Sequence, residues 1–202
     1  MAVRRTPLAS GVVTGEPTLV IIRGNSGSGK TTTAREVRRR YGRGCALLEQ
    51  DYLRRTMLRE HDSSSTGVVA PEFIAATARA ALAVGYHVVL EGILHSSRYG
   101  EVLRRLMDEH AGPSRVFYLD VSFDETVRRH QGRAEPIGVT AAEMREWYVP
   151  RDLLDVPGER VLGEGVGFEE AVDGILHGSG LAGSAALTPC PARCARCARA
   201  KD

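Results

Sequence analysis

The plainest chemistry in this sequence lies in eight consecutive residues, Gly24-Asn25-Ser26-Gly27-Ser28-Gly29-Lys30-Thr31. They fit G-x-x-x-x-G-K-[ST], the Walker A loop, between the apolar run Leu19-Val20-Ile21-Ile22 and a helical pattern, the strand-loop-helix setting the motif requires. Glycines let successive backbone N–H groups turn inward around phosphate oxygens, and the following helix points its positive end at the same place. In that arrangement Gly24 to Thr32 cradle a nucleoside triphosphate, Lys30 meets its β- and γ-phosphates, and Thr31 ligates Mg²⁺. A glycine-rich turn with no ligand is the plain alternative. Two of the 27 basic residues are lysines, Lys30 and the penultimate Lys201. Lys30 is thus the only lysine in the expected folded body, in a chain that otherwise supplies positive charge as arginine.

Phosphoryl transfer asks a protein mainly for positioning and for neutralising charge. One carboxylate must orient an acceptor hydroxyl, and Asp51, on a short side chain just past a strand, suits that role. Asp51 equally suits the N-cap of a helix beginning at Tyr52. Glu91 ends a buried strand and needs a partner there: Mg²⁺-bound water, Lys30, a substrate hydroxyl, or simply an arginine. Asp120 is the competing Mg²⁺-side carboxylate, although Asp at a strand end is common turn chemistry. Arg129 and Arg133 could steady the migrating phosphoryl group and exclude water, or be solvated helix-end arginines. His95 and Arg98 follow Glu91 closely enough to meet an acceptor, with a surface histidine as the bland alternative. Trp147, Tyr148 and Arg151 could stack on adenine or shape the acceptor pocket, whereas a Trp within a helix is more often core.

These residues need a scaffold, and the pattern supplies strands alternating with helices. Strands are expected at Thr18 to Arg23, Cys45 to Glu49, His87 to Leu90, Val116 to Leu119 and Glu159 to Leu162. Helices are expected at Lys30 to Tyr41, Tyr52 to Glu60, Pro71 to about Val84, Arg98 to His110, Phe123 to about His130, Thr140 to Tyr148, and Phe168 to Leu176. Ser122 with Glu125, and Thr140 with Glu143, read as capping boxes. Ser63 to Gly67 reads as a flexible loop and Gln131 to Val139 as an exposed connection. The alternation implies an α/β fold with a parallel sheet covered on both faces, whose ligands gather at the carboxyl ends of the strands. Asp51, Glu91 and Asp120 all fall at such ends.

The 202 residues, 43% of them hydrophobic, suit one domain with a real core. Residues 1–16 read as a loose leader, 17–178 as the domain, and 179–202 as a disordered Ala/Arg/Cys tail. A formal charge of +2 from well-mixed signs argues against a dedicated duplex-binding surface. No apolar stretch reaches a membrane span and the amino terminus lacks a signal-peptide centre, so a cytoplasmic protein is expected. Cys45 reads as a small core side chain. Cys190, Cys194 and Cys197 cluster at metal-like spacing, but a closed zinc site needs a fourth ligand, and the nearest histidine, His177, is remote.

The loop Gly24 to Thr31, the segment Glu49-Gln50-Asp51-Tyr52-Leu53-Arg54, the segment Val88-Val89-Leu90-Glu91-Gly92 and the stretch Arg128-Arg129-His130-Gln131-Gly132-Arg133 together resemble the small P-loop kinases. Chloramphenicol phosphotransferase, the zeta toxins that phosphorylate UDP-sugars, and the 5′-hydroxyl polynucleotide kinases are the similar members, over roughly residues 18 to 178. The resemblance implies a five-stranded sheet in the order 2-3-1-4-5 with helices on both faces, and a small arginine lid between the fourth and fifth strands. It implies ATP and Mg²⁺ as cofactors, Asp51 as the base, and Arg54 as a residue holding substrate and phosphate. It also implies Glu91 as the strand-three carboxylate, beside Thr31 on the metal side, and Arg129 and Arg133 as lid arginines.

The expected function is an ATP-dependent kinase acting on a hydroxyl of a small acceptor such as a nucleoside, a sugar nucleotide or an antibiotic-like compound, with Asp51, Arg54, Glu91, His95 and Arg98 on the acceptor side. A polynucleotide 5′-hydroxyl kinase, favoured by Asp51-x-x-Arg54, and a nucleotide-dependent switch or ATPase are the alternatives. The sequence around Asp51 and around Glu91 to His95 follows no one relative, so the acceptor and the oligomeric state stay open.

Overall fold

The computed structural model describes residues 16–61, 69–132 and 138–183. β1 (Leu19–Gly24) lies at the centre of a five-stranded sheet with β2 (Cys45–Glu49), β3 (His87–Gly92), β4 (Ser114–Asp120) and β5 (Arg160–Gly163). The order is β2-β3-β1-β4-β5 and every pairing is parallel. β1 and β3 are buried along their whole length, which explains their unbroken apolar reading: both faces are covered.

Alternate residues of β1 feed two cores. Leu19 and Ile21 pack with α2 (Ala70–Ala83) and α3 (Ser96–Glu109) on one face. Val20 and Ile22 pack with α1 (Lys30–Tyr41) and α6 (Phe168–Ser179) on the other. The same two-residue period puts Cys45, Leu47 and Val89 on the α1 face. Glu49 and Glu91, which are register partners, therefore reach that face too, at the strand ends where the loop before α1 emerges.

Several expected elements differ in detail. The segment after β2 forms a π-helical turn, Tyr52–Met57, with Asp51 ahead of it in helical conformation and making no side-chain cap. β3 runs on through Glu91 and Gly92, so Glu91 is a strand residue buried to 3% exposure. Ser122 caps α4 (Phe123–Gln131) by accepting from the Glu125 N–H at 3.4 Å, but Glu125 turns its carboxylate to Arg128 and Arg129, leaving the capping box half built. α5 (Ala141–Trp147) has the full box, Thr140 and Glu143 each bonding the other's backbone N–H. Ser63 to Gly67, most of the connection from Gln131 to Val139, and Cys190, Cys194 and Cys197 lie outside the described residues.

α6 extends to Ser179, closed by Gly180 in the left-handed region at φ 81°, and a 3₁₀ turn follows at Leu181–Gly183. Leu181 is 2% exposed and packs into the α1/α6 core, so ordered packing reaches past residue 178. Removing a buried leucine forfeits transfer energy and leaves a cavity. Leu181→Ala is expected to cost about 2–3 kcal/mol by denaturant unfolding; a loss under about 0.5 kcal/mol would mean that this turn is not part of the core.

Candidate active site

The loop between β1 and α1 lies flush against β4 and α4. A Cβ at Gly24 (φ 154°) would stand 2.8 Å from the Leu119 carbonyl, and one at Gly27 (φ 82°) 2.5 Å from the Thr126 carbonyl. Neither position admits a side chain, so the backbone itself lines the concavity, as an anion cradle requires. Lys30 Nζ lies 3.3 Å from the Asn25 carbonyl, curled across the cradle's mouth.

Beside it, Thr31 Oγ1 donates to Glu91 Oε2 at 3.1 Å. Burial pushes the Glu91 carboxyl above its ordinary value; Lys30 and the Thr31 hydroxyl oppose that shift, while Glu49 and Asp51 add to it. A buried carboxylate, a hydroxyl and an ammonium thus meet at one point. Among the described residues no group of three or more acidic, His or Cys side chains is spaced to hold a metal. The Thr31–Glu91 pair nonetheless fits Mg²⁺, which keeps several waters and takes one or two protein ligands alongside substrate phosphates.

Two clefts open on either side of this loop, and Thr32 lines both. The first, of about 560 Å³, holds Lys30, Thr31 and Glu91 with Asp51, Ile93 and Trp147. Asp51 is well exposed there and pairs with Arg55 at 3.5 Å. Glu49 is held by Arg35 through two bonds of 2.5 and 3.0 Å, also on this cleft's wall. The second cleft, of about 450 Å³, is lined on its apolar side by Leu119, Val121, Leu162, Val166 and Phe168. Arg129 forms its wall, donating to the Ser28 carbonyl at 3.0 Å, to the Glu164 carbonyl at 3.4 Å and to Glu125 at 2.7 Å.

The structure therefore brings Asp51, Glu91, Lys30 and Thr31 into one cleft and puts Arg129 at the other; Arg133 lies outside the described residues. Arg54, His95 and Arg98 are not among the residues lining either cleft. His95 caps α3 and stands 3.6 Å from Asp152. Arg54 Nε and Nη2 and Arg98 Nη2 are buried and have no hydrogen-bond partner among the described residues. Trp147 belongs to the Asp51 cleft. Tyr148 instead donates to the Val121 carbonyl at 3.1 Å and packs edge-on against Phe123, and Arg151 sits 3.9 Å from Asp120, so neither lines the apolar cleft.

Sequence reasoning missed Glu49, Arg35 and Arg55 on the cleft wall. The alternation of β2 carried a signal for Glu49, since Cys45 and Leu47 face α1. It also missed Arg23, a fully buried arginine in β1 bonded to Asp152 at 2.9 Å.

A family profile described as an AAA domain (AAA_33) matches residues 19–150, well over half of the chain. The chain belongs to that AAA-domain family. No curated protein sequence matches it. Among solved structures it is similar to a sugar kinase from Janibacter sp. HTCC2649, at 22% identity and TM-score 0.64 over 82% of this chain and 96% of that one. It is also similar to the Mycobacterium tuberculosis APS kinase in complex with AMPPNP and APS, at 17% identity and TM-score 0.65 over 84% and 99%. A gluconokinase from Sinorhizobium meliloti 1021 aligns at 17% identity and TM-score 0.57 over 83% and 93%. This AAA-domain protein thus has the fold of the small P-loop kinases. Among the described residues no helix is long and apolar enough to cross a membrane.

The raised Glu91 pKa sets a sign for pH dependence. Between the ordinary carboxylate value of 4.5 and the raised one, the folded state holds a proton that the unfolded state has lost. Its contribution to the unliganded protein's stability is therefore present at acid pH and lost as pH rises through the raised value. Thermal unfolding from about pH 5 to about pH 8 should show this decline in the wild type and a flatter profile in Glu91→Gln. Equal slopes would show that Glu91 titrates normally.

Proposed function

We propose that this AAA-domain protein is an ATP-dependent kinase that moves the γ-phosphoryl group to a hydroxyl of a small acceptor. The observation that carries the reading is a single phosphate loop shared by two clefts: one apolar and arginine-walled, the other holding Lys30, Thr31, Glu91 and a strand-end aspartate. The apolar cleft suits a purine ring, flanked by Val166 and Phe168 with the Arg129 guanidinium alongside. The triphosphate then runs over the loop's backbone N–H groups and ends in the Asp51 cleft.

Lys30 exchanges the Asn25 carbonyl for phosphate oxygens. Thr31 and Glu91 would hold Mg²⁺, and the ion when bound would neutralise phosphate charge. Asp51 accepts the proton of the acceptor hydroxyl while the acceptor oxygen bonds the γ-phosphorus; the bond from that phosphorus to the bridging oxygen breaks, and ADP leaves. Arg55, 3.5 Å from Asp51, holds the carboxylate on the cleft wall where the hydroxyl arrives. With Arg129 beside the base, Arg133 is the remaining arginine proposed to steady the transferred group. Arg54 and Arg98, with their unpartnered guanidinium nitrogens, are the acceptor-side candidates of second rank, and His95 acts through Asp152. A cytoplasmic setting fits a kinase that draws on ATP.

The names of the similar structures, a sugar kinase, a gluconokinase and an APS kinase, support a small hydroxylated acceptor. The polynucleotide reading draws on Arg54 alone. The cleft's arginines count against it, because Arg35 and Arg55 are already committed to Glu49 and Asp51, leaving little spare positive charge for a polyanion.

The test is turnover of MgATP with sugars, nucleosides, sugar nucleotides and hydroxylated antibiotics. A phosphorylated product is expected with at least one of them; hydrolysis to inorganic phosphate alone, across the panel, would support the ATPase alternative. Asp51→Asn should hold MgATP affinity within about threefold and slow transfer by about a thousandfold. An unchanged rate would remove Asp51 from the base role.

A further inference from the structure

The residues on either side of Gly24 spend their side chains on a distant segment rather than on the loop. Asn25 is 4% exposed, and its side chain clasps one peptide unit pair from both sides. Nδ2 donates to the Val149 carbonyl at 2.8 Å, and Oδ1 accepts from the Val149 N–H at 3.1 Å. The same Nδ2 lies 3.3 Å from the Tyr118 hydroxyl, which accepts from the Asp152 N–H at 3.2 Å.

Arg23, fully buried, donates to the Asp152 carbonyl at 2.7 Å and to its carboxylate at 2.9 Å, and to the Leu94 carbonyl at 2.8 and 3.1 Å. Asp152 also accepts from the Ser96 N–H and hydroxyl at the start of α3. Arg23, Asn25, Leu94 and Tyr118 are buried and Asp152 is nearly so, so losing these bonds would strand polar groups inside the fold.

The clasped segment begins two residues after Trp147, which lines the Asp51 cleft. The other end of the connection is Lys30, whose ammonium rests on the Asn25 carbonyl. One residue therefore touches, through its backbone, the lysine that must move to meet phosphate and, through its side chain, the end of the helix carrying Trp147. We propose that Asn25 and Arg23 are positioning residues that tie Val149–Asp152 to the phosphate loop, so that filling the loop is transmitted to α5 and Trp147 on the acceptor side. The proposal rests on the nucleotide-binding reading above.

Trp147 is the one tryptophan in the sequence, so its fluorescence reports on this helix alone. The wild type is titrated with MgAMPPNP, with binding measured separately by calorimetry. Fluorescence and heat should change together. Asn25→Ala removes the clasp, and with MgAMPPNP at concentrations shown by calorimetry to saturate the variant, most of the fluorescence amplitude should disappear. Its kcat for transfer at saturating ATP should fall about tenfold, as expected when placement is damaged.

Tyr118→Phe, which deletes one hydroxyl and keeps the ring, is the second variant, with a partial loss of amplitude expected; it decides the matter where Asn25→Ala does not fold. Wild-type amplitude in a folded variant would overturn the proposal, because Trp147 would then be sensing the ligand directly. So would a wild type that binds MgAMPPNP with no fluorescence change. A wild type that shows no calorimetric binding would overturn the nucleotide-binding reading itself, and the proposal with it.

Discussion

A carboxylate removed from water at the carboxyl end of β3 is the constraint around which the site is arranged. Glu91 is held among Thr31, Lys30, Glu49 and Asp51, and burial alone would drive it to the neutral form. Its tolerance inside the fold depends on the Lys30 charge and the Thr31 hydroxyl at the start of α1. The parallel sheet makes this arrangement inevitable: β1 ends at the loop, β3 is its register neighbour, and side chains of matching parity reach the same face.

The second consequence concerns direction. The loop cannot carry side chains at Gly24 or Gly27 because β4 and α4 press against it, and that contact also fixes which side of the loop faces which cleft. The apolar wall from β4 and β5 stands on one side and the carboxylate-rich ends of β2 and β3 on the other. In the proposed kinase reading, donor and acceptor ends follow from strand order rather than from the loop sequence. The arginines of α4 illustrate the point. Arg128 and Arg129 hold Glu125 down at about 2, and this anchoring lays Arg129 across the loop's rear carbonyl instead of leaving it in solvent.

What was legible in the sequence follows from how local each signal is. The loop, α1, β1 and the strand-helix alternation rest on nearby residues, and the sheet order matches the expectation drawn from family resemblance. Asp51 and Glu91 were readable as strand-end carboxylates, and both line one cleft. Glu49 became visible only with the register of β2 against β3. Arg23 read as the polar end of a strand, since its partner Asp152 lies 129 positions away and nothing local announces a buried ion pair. The side-chain role of Asn25 was hidden by its motif, which treats that position as a spacer. The return of Leu181 to the core after Gly180 has no local signal and shows only in the packing.

The central claim is that one phosphate loop carries a nucleotide from the apolar cleft to the Asp51 cleft. A crystal structure with MgAMPPNP tests it most directly. The base is expected between Arg129 and Val166, Lys30 withdrawn from the Asn25 carbonyl onto the phosphates, and the terminal phosphate facing Asp51 with room for one hydroxyl between them. A nucleotide lying the other way, with its base beside Trp147 and its terminal phosphate among Val166 and Phe168, would contradict it.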